Sequence, residues 1–134
     1  MRMTLPELEA LLDEHTPHWR SACRIDSLGE HQIVVTMPFR PDFVRAGGTI
    51  AGPPVMTLAD RTAYYLTLAL AGPRPAAVTA NLAIHFLTRA EPGDLTATAT
   101  MLRLGRRLAV SAVDVRSRDT LVAHATVTYA LPVD

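Results

Sequence analysis

The chain has 134 residues, of which 49% are hydrophobic and 19% are charged, so its composition is that of a globular domain with a sizeable core. Thirteen arginines balance thirteen acidic residues, and a chain with neither net charge nor a basic run is not expected to bind nucleic acid. Its single cysteine excludes an intrachain disulfide and a thiolate metal cluster, and we predict one domain over residues 1–134.

The N-terminus predicts a short amphipathic helix and not a secretion signal. Thr4 and Glu7 have the spacing of a capping box, and leucines share one face of a helix from about Leu5 to His15. This segment is too acidic and too briefly apolar for a signal peptide, so we expect a cytoplasmic protein. Two strands are predicted next, over 22–28 and 31–39.

The segment from Pro53 to Ala71 predicts a buried helix. Apolar side chains lie on every side of its helical wheel, and Asp60 and Arg61 are its charged residues. The segment is about long enough to cross a bilayer, but its central charges and leading prolines favour a core helix, so no membrane partner is expected.

Asp60 is the first candidate for a functional role, because a carboxylate among apolar side chains must be compensated or used. A glycine-containing loop with Gly48 and Gly52 precedes this helix. Acyl-transfer enzymes need backbone N–H groups aimed at a carbonyl oxygen together with a positioned carboxylate, and this segment can supply both. The alternative is a structural ion pair of Asp60 with Arg45 or with an arginine of a partner chain.

Four half-buried strands are predicted after the helix, and period-two alternation marks each of them. They lie over 78–87, 94–104, 106–116 and 120–131. In the first of these, Thr79 and Asn81 alternate with the apolar stripe, so both are expected on one face, as lining of an acyl pocket or as a solvent or dimer face. One hydrophobic helix with five or six antiparallel strands predicts an α+β fold, with a sheet wrapped around the helix.

These residues resemble the hotdog-fold acyl-CoA thioesterases of the PaaI-like, phenylacetate-pathway type. The usual motif of that family reads Asn-x-x-Gly-x-x-His-Gly-Gly and is followed by an Asp or Glu on the central helix. Gly48, Gly52 and Asp60 match the first glycine, the first glycine of the pair and the acid. The likeness covers roughly residues 30–131 and includes 78–82, 93–95, 105–106 and 121–125.

The chain departs from this motif at three positions: Arg45 stands at the asparagine, Ala51 at the histidine and Pro53 at the second glycine. The resemblance still implies a thioesterase for a small or medium acyl-CoA. In it the N–H of Gly52 polarises the thioester carbonyl, and Asp60 acts as general base or nucleophile.

No metal or cofactor is implied beyond the coenzyme A of the substrate, and a homodimer or homotetramer with sites at subunit interfaces is expected. Because arginine binds phosphate well, the arginines near the strand ends are candidates for coenzyme A. The candidate substrate-binding residues are Arg45, Gly48, Ala51, Thr79, Asn81, Arg89, Arg103 and Arg106. A non-catalytic protein that binds acyl-CoA or an aromatic ligand is the first alternative, and a hotdog dehydratase or hydratase is the second.

Overall fold

A six-stranded antiparallel sheet packs against one long helix in the computed structural model, which describes residues 1–132. The helices are α1 (Leu5–His15), α2 (Pro17–Ala22) and α3 (Gly52–Ala71), with a short 3₁₀ turn at Pro41–Phe43. The strands are β1 (Arg24–Leu28), β2 (Gln32–Met37), β3 (Val78–Phe86), β4 (Leu95–Leu104), β5 (Leu108–Ser117) and β6 (Thr120–Ala130). Their order in the sheet is β1-β2-β4-β5-β6-β3, which confirms the predicted α+β hotdog fold.

Helix α3 occupies the centre of the core, as its apolar pattern predicts. Every residue from Thr62 to Leu70 is buried. The two buried threonines of this stretch, Thr62 and Thr67, donate their hydroxyl hydrogens to backbone carbonyls one turn earlier, at 2.6 and 2.8 Å. The helix ends at Gly72, whose φ of 103° is a conformation that favours glycine. The threonine hydroxyls of the buried stretch are thereby satisfied, whereas the buried hydroxyl of Tyr65 has no hydrogen-bond partner among residues 1–132.

Small residues on the inner face of the sheet let α3 lie close to it. Strands β4, β5 and β6 alternate buried and half-buried residues over most of their length. The buried positions next to the helix include Ala97, Ala99, Val113, Val115, Ala123 and Ala125. The predicted period of two therefore corresponds to one face on the core and one face towards solvent.

The N-terminal region agrees with the prediction for α1 and differs from it after α1. The Thr4–Glu7 capping box is present, with N···O distances of 3.0 and 3.3 Å. The strand predicted from residue 22 instead begins at Arg24, because the second helix α2 occupies the preceding residues. Pro17 at the first turn of α2 suits a helix start, and this signal was missed.

Strand β3 forms one edge of the sheet and is largely exposed. It hydrogen-bonds to β6 along one side, and its other side carries no strand within residues 1–132. The exposed fractions of Val78 and Phe86 are 59% and 53%. Long exposed edges of this kind are templates for pairing with another strand. None of the helices in residues 1–132 is long and apolar enough to cross a membrane.

Candidate active site

The first turn of α3 presents one backbone N–H group. Ala51 precedes it in an extended conformation, with φ −69° and ψ 158°. Pro53 and Pro54 follow Gly52 and have no N–H, so Gly52 carries the remaining donor of the first three helical residues. Within residues 1–132 we find no acceptor for this N–H. A free donor at the positive end of a helix is suited to hold a carbonyl oxygen as it gains negative charge.

The loop before Gly52 is a tight turn. The N–H of Gly48 donates to the carbonyl of Arg45 at 3.0 Å, and the N–H of Arg45 donates to the carbonyl of Thr49 at 2.9 Å. The φ angles of Gly47 and Gly48 are 104° and 85°, which non-glycine residues rarely adopt. The N–H of Gly48 is therefore used inside the turn, and Gly48 contributes backbone shape and not a free donor.

A cavity of about 330 Å³ opens beside the Gly52 amide. Its wall includes Gly52, Arg45, Arg89, Val55 and Phe86, together with Thr49, Ile50, Leu87, Thr88, Ala90 and Val122. The Phe86 ring lies against Gly52 so closely that an added Cβ would be 3.4 Å from the ring Cζ. Two of the predicted substrate-binding arginines thus share this cavity with the predicted carbonyl donor. Ala51 does not line it, and its N–H donates to the carbonyl of Phe43 at 2.8 Å.

Asp60 is half-buried and is held by two hydroxyl groups. The Oγ1 of Thr79 and the hydroxyl of Tyr129 both donate to Oδ1 of Asp60, each at 2.7 Å. The Tyr129 hydroxyl also lies 3.2 Å from the backbone carbonyl oxygen of Asp60. No basic group of residues 1–132 forms a salt bridge with Asp60, so the alternative of an ion pair with Arg45 within the chain is wrong.

The predicted face of β3 is also wrong, and a β-bulge is the reason. Thr79 is opposite Tyr129 on β6, whereas Asn81 is opposite Thr128, so one additional residue, Ala80, lies between them. The bulge turns Thr79 to the inner face next to α3 and leaves Asn81 on the outer face. Thr79 therefore belongs to the Asp60 site, and Asn81 does not.

Tyr129 is the residue of this site that sequence reasoning missed. It occupies one of the alternating apolar positions of β6, where the residue is 3% exposed and resembles a core residue. Burial, together with the negative charge of Asp60, raises the pKa of the Tyr129 hydroxyl above its usual range. Tyr129 therefore keeps its proton and acts as a hydrogen-bond donor at neutral pH.

Arg61 points away from Asp60, as expected for a neighbour on a helix. Its guanidinium carbon lies 4.7, 5.4 and 5.1 Å from the ring centres of Tyr64, Tyr65 and Trp19. Its Nε and Nη2 are buried, and within residues 1–132 they meet no hydrogen-bond acceptor. Contact with three aromatic rings compensates the charge, and the contact with Trp19 connects α2 to α3.

The arginines near the strand ends form two groups and not one. A second cavity of about 490 Å³ is lined by Arg2, Arg74, Arg106 and Arg107. The described residues of its wall include no acidic side chain; the others are Ala71, Leu104, Gly105, Leu131 and Pro132. This cavity lies at the end of α3, whose twenty residues span about 30 Å. Arg89 lines the first cavity at the opposite end, and Arg103 lines neither of them.

The spacing along α3 separates the two predicted catalytic groups. Gly52 and Asp60 are eight residues apart, which corresponds to roughly 12 Å of helix. A thioester carbonyl that accepts a hydrogen bond from the Gly52 amide is therefore beyond the reach of Asp60 in the same chain. The two groups can meet at one substrate if they come from two copies of the protein.

Comparison with known proteins places this geometry in a family. The family described as "Thioesterase superfamily" matches residues 47–124. A Pseudomonas aeruginosa protein named "Putative esterase PA0474" is 31% identical over 126 residues, which cover 87% of this chain and 93% of that protein.

Solved structures of thioesterase-like proteins are similar to this chain. The crystal structure of a "putative thioesterase" from Silicibacter sp. TM1040 superposes with a TM-score of 0.85 at 36% identity, and it covers 96% of this chain and 91% of that one. A mutant of the phenylacetic acid degradation protein PaaI from Thermus thermophilus gives a TM-score of 0.75 at 25% identity, with 87% and 99% covered.

Proposed function

The chain belongs to the thioesterase superfamily, a family of thioester hydrolases, and we propose that it hydrolyses a small or medium acyl-CoA thioester as a homodimer or larger homo-oligomer. One observation carries the proposal: within residues 1–132 the Gly52 amide, beside a cavity at the N-terminus of α3, has no acceptor, and Asp60 on the same helix has no ion-pair partner. Acyl transfer requires these two groups.

Pairing of two β3 strands would complete the site. Antiparallel pairing across a two-fold axis brings the Thr79 end of one strand to the Phe86 end of the other. Thr79 holds Asp60, and Phe86 lies on Gly52, so such a dimer brings Asp60 of one chain towards Gly52 of the other. The exposed edge of β3 supports this arrangement.

The arginine-lined cavity is our proposed site for the phosphates of coenzyme A. Four arginines without an acidic neighbour among the described residues of the wall favour a polyanion. Leu131, in the same wall, is two residues after Tyr129, the residue whose hydroxyl donates to Asp60. A substrate with its phosphates here would extend its thioester towards the Asp60 end of the site.

The proposed reaction uses water as its second substrate. The Gly52 N–H donates to the carbonyl oxygen as the carbonyl carbon becomes tetrahedral, and this stabilises the negative charge on that oxygen. In one route, Asp60 takes a proton from the attacking water, the carbon–sulfur bond breaks, and the proton passes to the coenzyme A thiolate. In the other route, Asp60 attacks the carbonyl carbon, the carbon–sulfur bond breaks and the coenzyme A thiolate leaves. Water then hydrolyses the mixed anhydride, which frees the acid and Asp60, and the proton released from the water passes to the thiolate.

The test is release of the coenzyme A thiol from a panel of acyl-CoA substrates, with Asp60→Asn as the variant. We expect turnover by the wild type on at least one small or medium acyl group. The variant should be slower by about a hundredfold or more. Because Asn keeps an oxygen acceptor for Thr79 and Tyr129, the melting temperature should change little. A variant with unchanged turnover and a large loss of melting temperature would contradict a catalytic role.

Non-catalytic binding of an acyl-CoA is the second candidate function. Ala51 in place of the family's histidine favours it, as do the two prolines that remove N–H donors next to Gly52. A binding protein would show a raised melting temperature with acyl-CoA and no release of thiol. Both measurements on one sample distinguish the two candidates.

A further inference from the structure

The two oxygens of the Asp60 carboxylate have different environments. Oδ1 accepts hydrogen bonds from Thr79 and Tyr129, each at 2.7 Å. For Oδ2, no hydrogen-bond partner is found among residues 1–132. The carboxylate is thus held through one oxygen, while the other is left for a group outside the chain.

Tyr129 holds this carboxylate from the core, whereas Thr79 holds it from the edge of the sheet. Its ring is 3% exposed and packs at 5.5 Å from the ring of Tyr64, also a buried residue. Its hydroxyl lies within hydrogen-bond distance of both Oδ1 and the backbone carbonyl of Asp60, so it links the side chain to the helix. Thr79, in contrast, lies on an exposed edge strand beside the bulge.

Tyr129 remains a donor over the working range of pH. Burial and the nearby Asp60 charge raise the pKa of its hydroxyl, so the phenolate is not formed near neutrality. A phenol that keeps its proton can donate it to a carboxylate oxygen, so Tyr129 is available to hold Oδ1 of Asp60 at neutral pH.

We propose that Tyr129 is a positioning residue for the reaction: with Thr79 it fixes Oδ1 of Asp60, so that Oδ2 is the oxygen that reacts. The proposal rests on the proposed thioester hydrolysis. Tyr129 is not itself a reacting group, and its effect passes through the orientation of Asp60. Catalytic carboxylates require such support, because small errors in their placement lower the rate strongly.

The experiment compares Tyr129→Phe with the matched control Tyr64→Phe. Each substitution removes one phenolic hydroxyl, and the two rings are neighbours, but the Tyr64 hydroxyl donates to the carbonyl of Pro75 at 2.7 Å. For Tyr129→Phe we expect kcat to fall about tenfold with KM little changed. Tyr64→Phe should keep the wild-type kcat and KM.

Thr79 supplies a second test with a conservative rescue. Thr79→Val removes the other donor to Oδ1 and should lower kcat with KM little changed, as Tyr129→Phe does. Thr79→Ser keeps the hydroxyl and should restore most of the rate. If Tyr129→Phe lowers kcat no more than Tyr64→Phe does, or if Thr79→Ser is as slow as Thr79→Val, the positioning role is wrong.

Melting temperature in a double-mutant cycle separates this inference from the proposed function. Tyr129→Phe should lower the melting temperature by about 4 °C, and by less in an Asp60→Ala background, where the bond to the carboxylate is already lost. A wild type without turnover, but with this coupling, would refute thioester hydrolysis and keep the hydrogen bond. An equal loss in both backgrounds would refute the bond to Asp60.

Discussion

Replacement of Gly52 by proline is a sharp test of the proposed carbonyl donor, because the fold can accept it. Ala51 already has the extended ψ of 158° that a residue before proline requires, and proline suits the first turn of a helix. Since the N–H of Gly52 has no acceptor within residues 1–132, its removal breaks no hydrogen bond of the described chain. Gly52→Ala is the matched control: it puts a Cβ at the same 3.4 Å from the Phe86 ring and keeps the N–H.

The expected loss is that of one oxyanion donor. Removal of such a donor typically lowers kcat by about 10²–10³, or about 2.7–4 kcal/mol of transition-state stabilisation. The free energy of unfolding should stay level or rise by up to about 1 kcal/mol, because proline restricts the unfolded chain. Thiol release and urea unfolding on the same preparations measure both quantities. A Gly52→Pro variant that keeps the activity of Gly52→Ala would refute a role for the amide.

Mixed dimers test whether the two groups come from different chains. Gly52→Pro and Asp60→Asn should each be nearly inactive alone, but a dimer of one chain of each kind keeps one intact site of its two. Random assembly after co-expression makes about half of the dimers mixed, so about a quarter of wild-type activity should return. Mixed dimers that form, as shown by two affinity tags, and yet stay inactive would refute the shared site.

Three other predictions follow from the arginines and from the cysteine. The double variant with Arg106→Ala and Arg107→Ala should raise KM for acyl-CoA by about tenfold or more. Turnover of the same acyl group on pantetheine, which lacks the phosphates, should not change. An equal loss on both substrates would refute phosphate binding at this cavity. Arg61→Lys should cost about 1–2 kcal/mol in urea unfolding, because an ammonium cannot stack on three rings, and no loss would refute stabilisation by these contacts. Burial raises the pKa of the Cys23 thiol to about 11, so at pH 8 about one thiol in a thousand is ionised. A disulfide reagent should therefore modify Cys23 in urea but not in the folded protein. Fast modification of the folded protein would contradict this.

Local patterns in the sequence were sufficient for most of the fold. The α3 helix is apolar all round because it lies between the sheet and α1, and this pattern shows in one segment of the chain. The strands alternate because one face of the sheet meets α3. Helix α2 was missed, since its six residues are too few for a helical period to be recognised.

The surroundings of Asp60 could not be predicted in the same way, because they depend on register between distant strands. Thr79 reaches Asp60 through a bulge at Ala80, and no residue type there marks a bulge. Tyr129 reaches it from the last strand, where the tyrosine fits an apolar stripe equally well. Arg89 and Arg106 each follow the end of a strand in the sequence, but they line two cavities at opposite ends of α3.

The two prolines after Gly52 affect which ligands can compete for the N-terminus of α3. A helix start normally offers several N–H groups and is a favourable site for phosphate, whose oxygens accept hydrogen bonds from several donors at once. Pro53 and Pro54 leave Gly52 as the one N–H of the first three residues, so the backbone there offers a phosphate one donor and not several. A carbonyl group has one oxygen, and one donor can satisfy it. The prolines thus remove the backbone part of a phosphate site at the position where the thioester is expected, and a phosphate there would depend on Arg45 and Arg89.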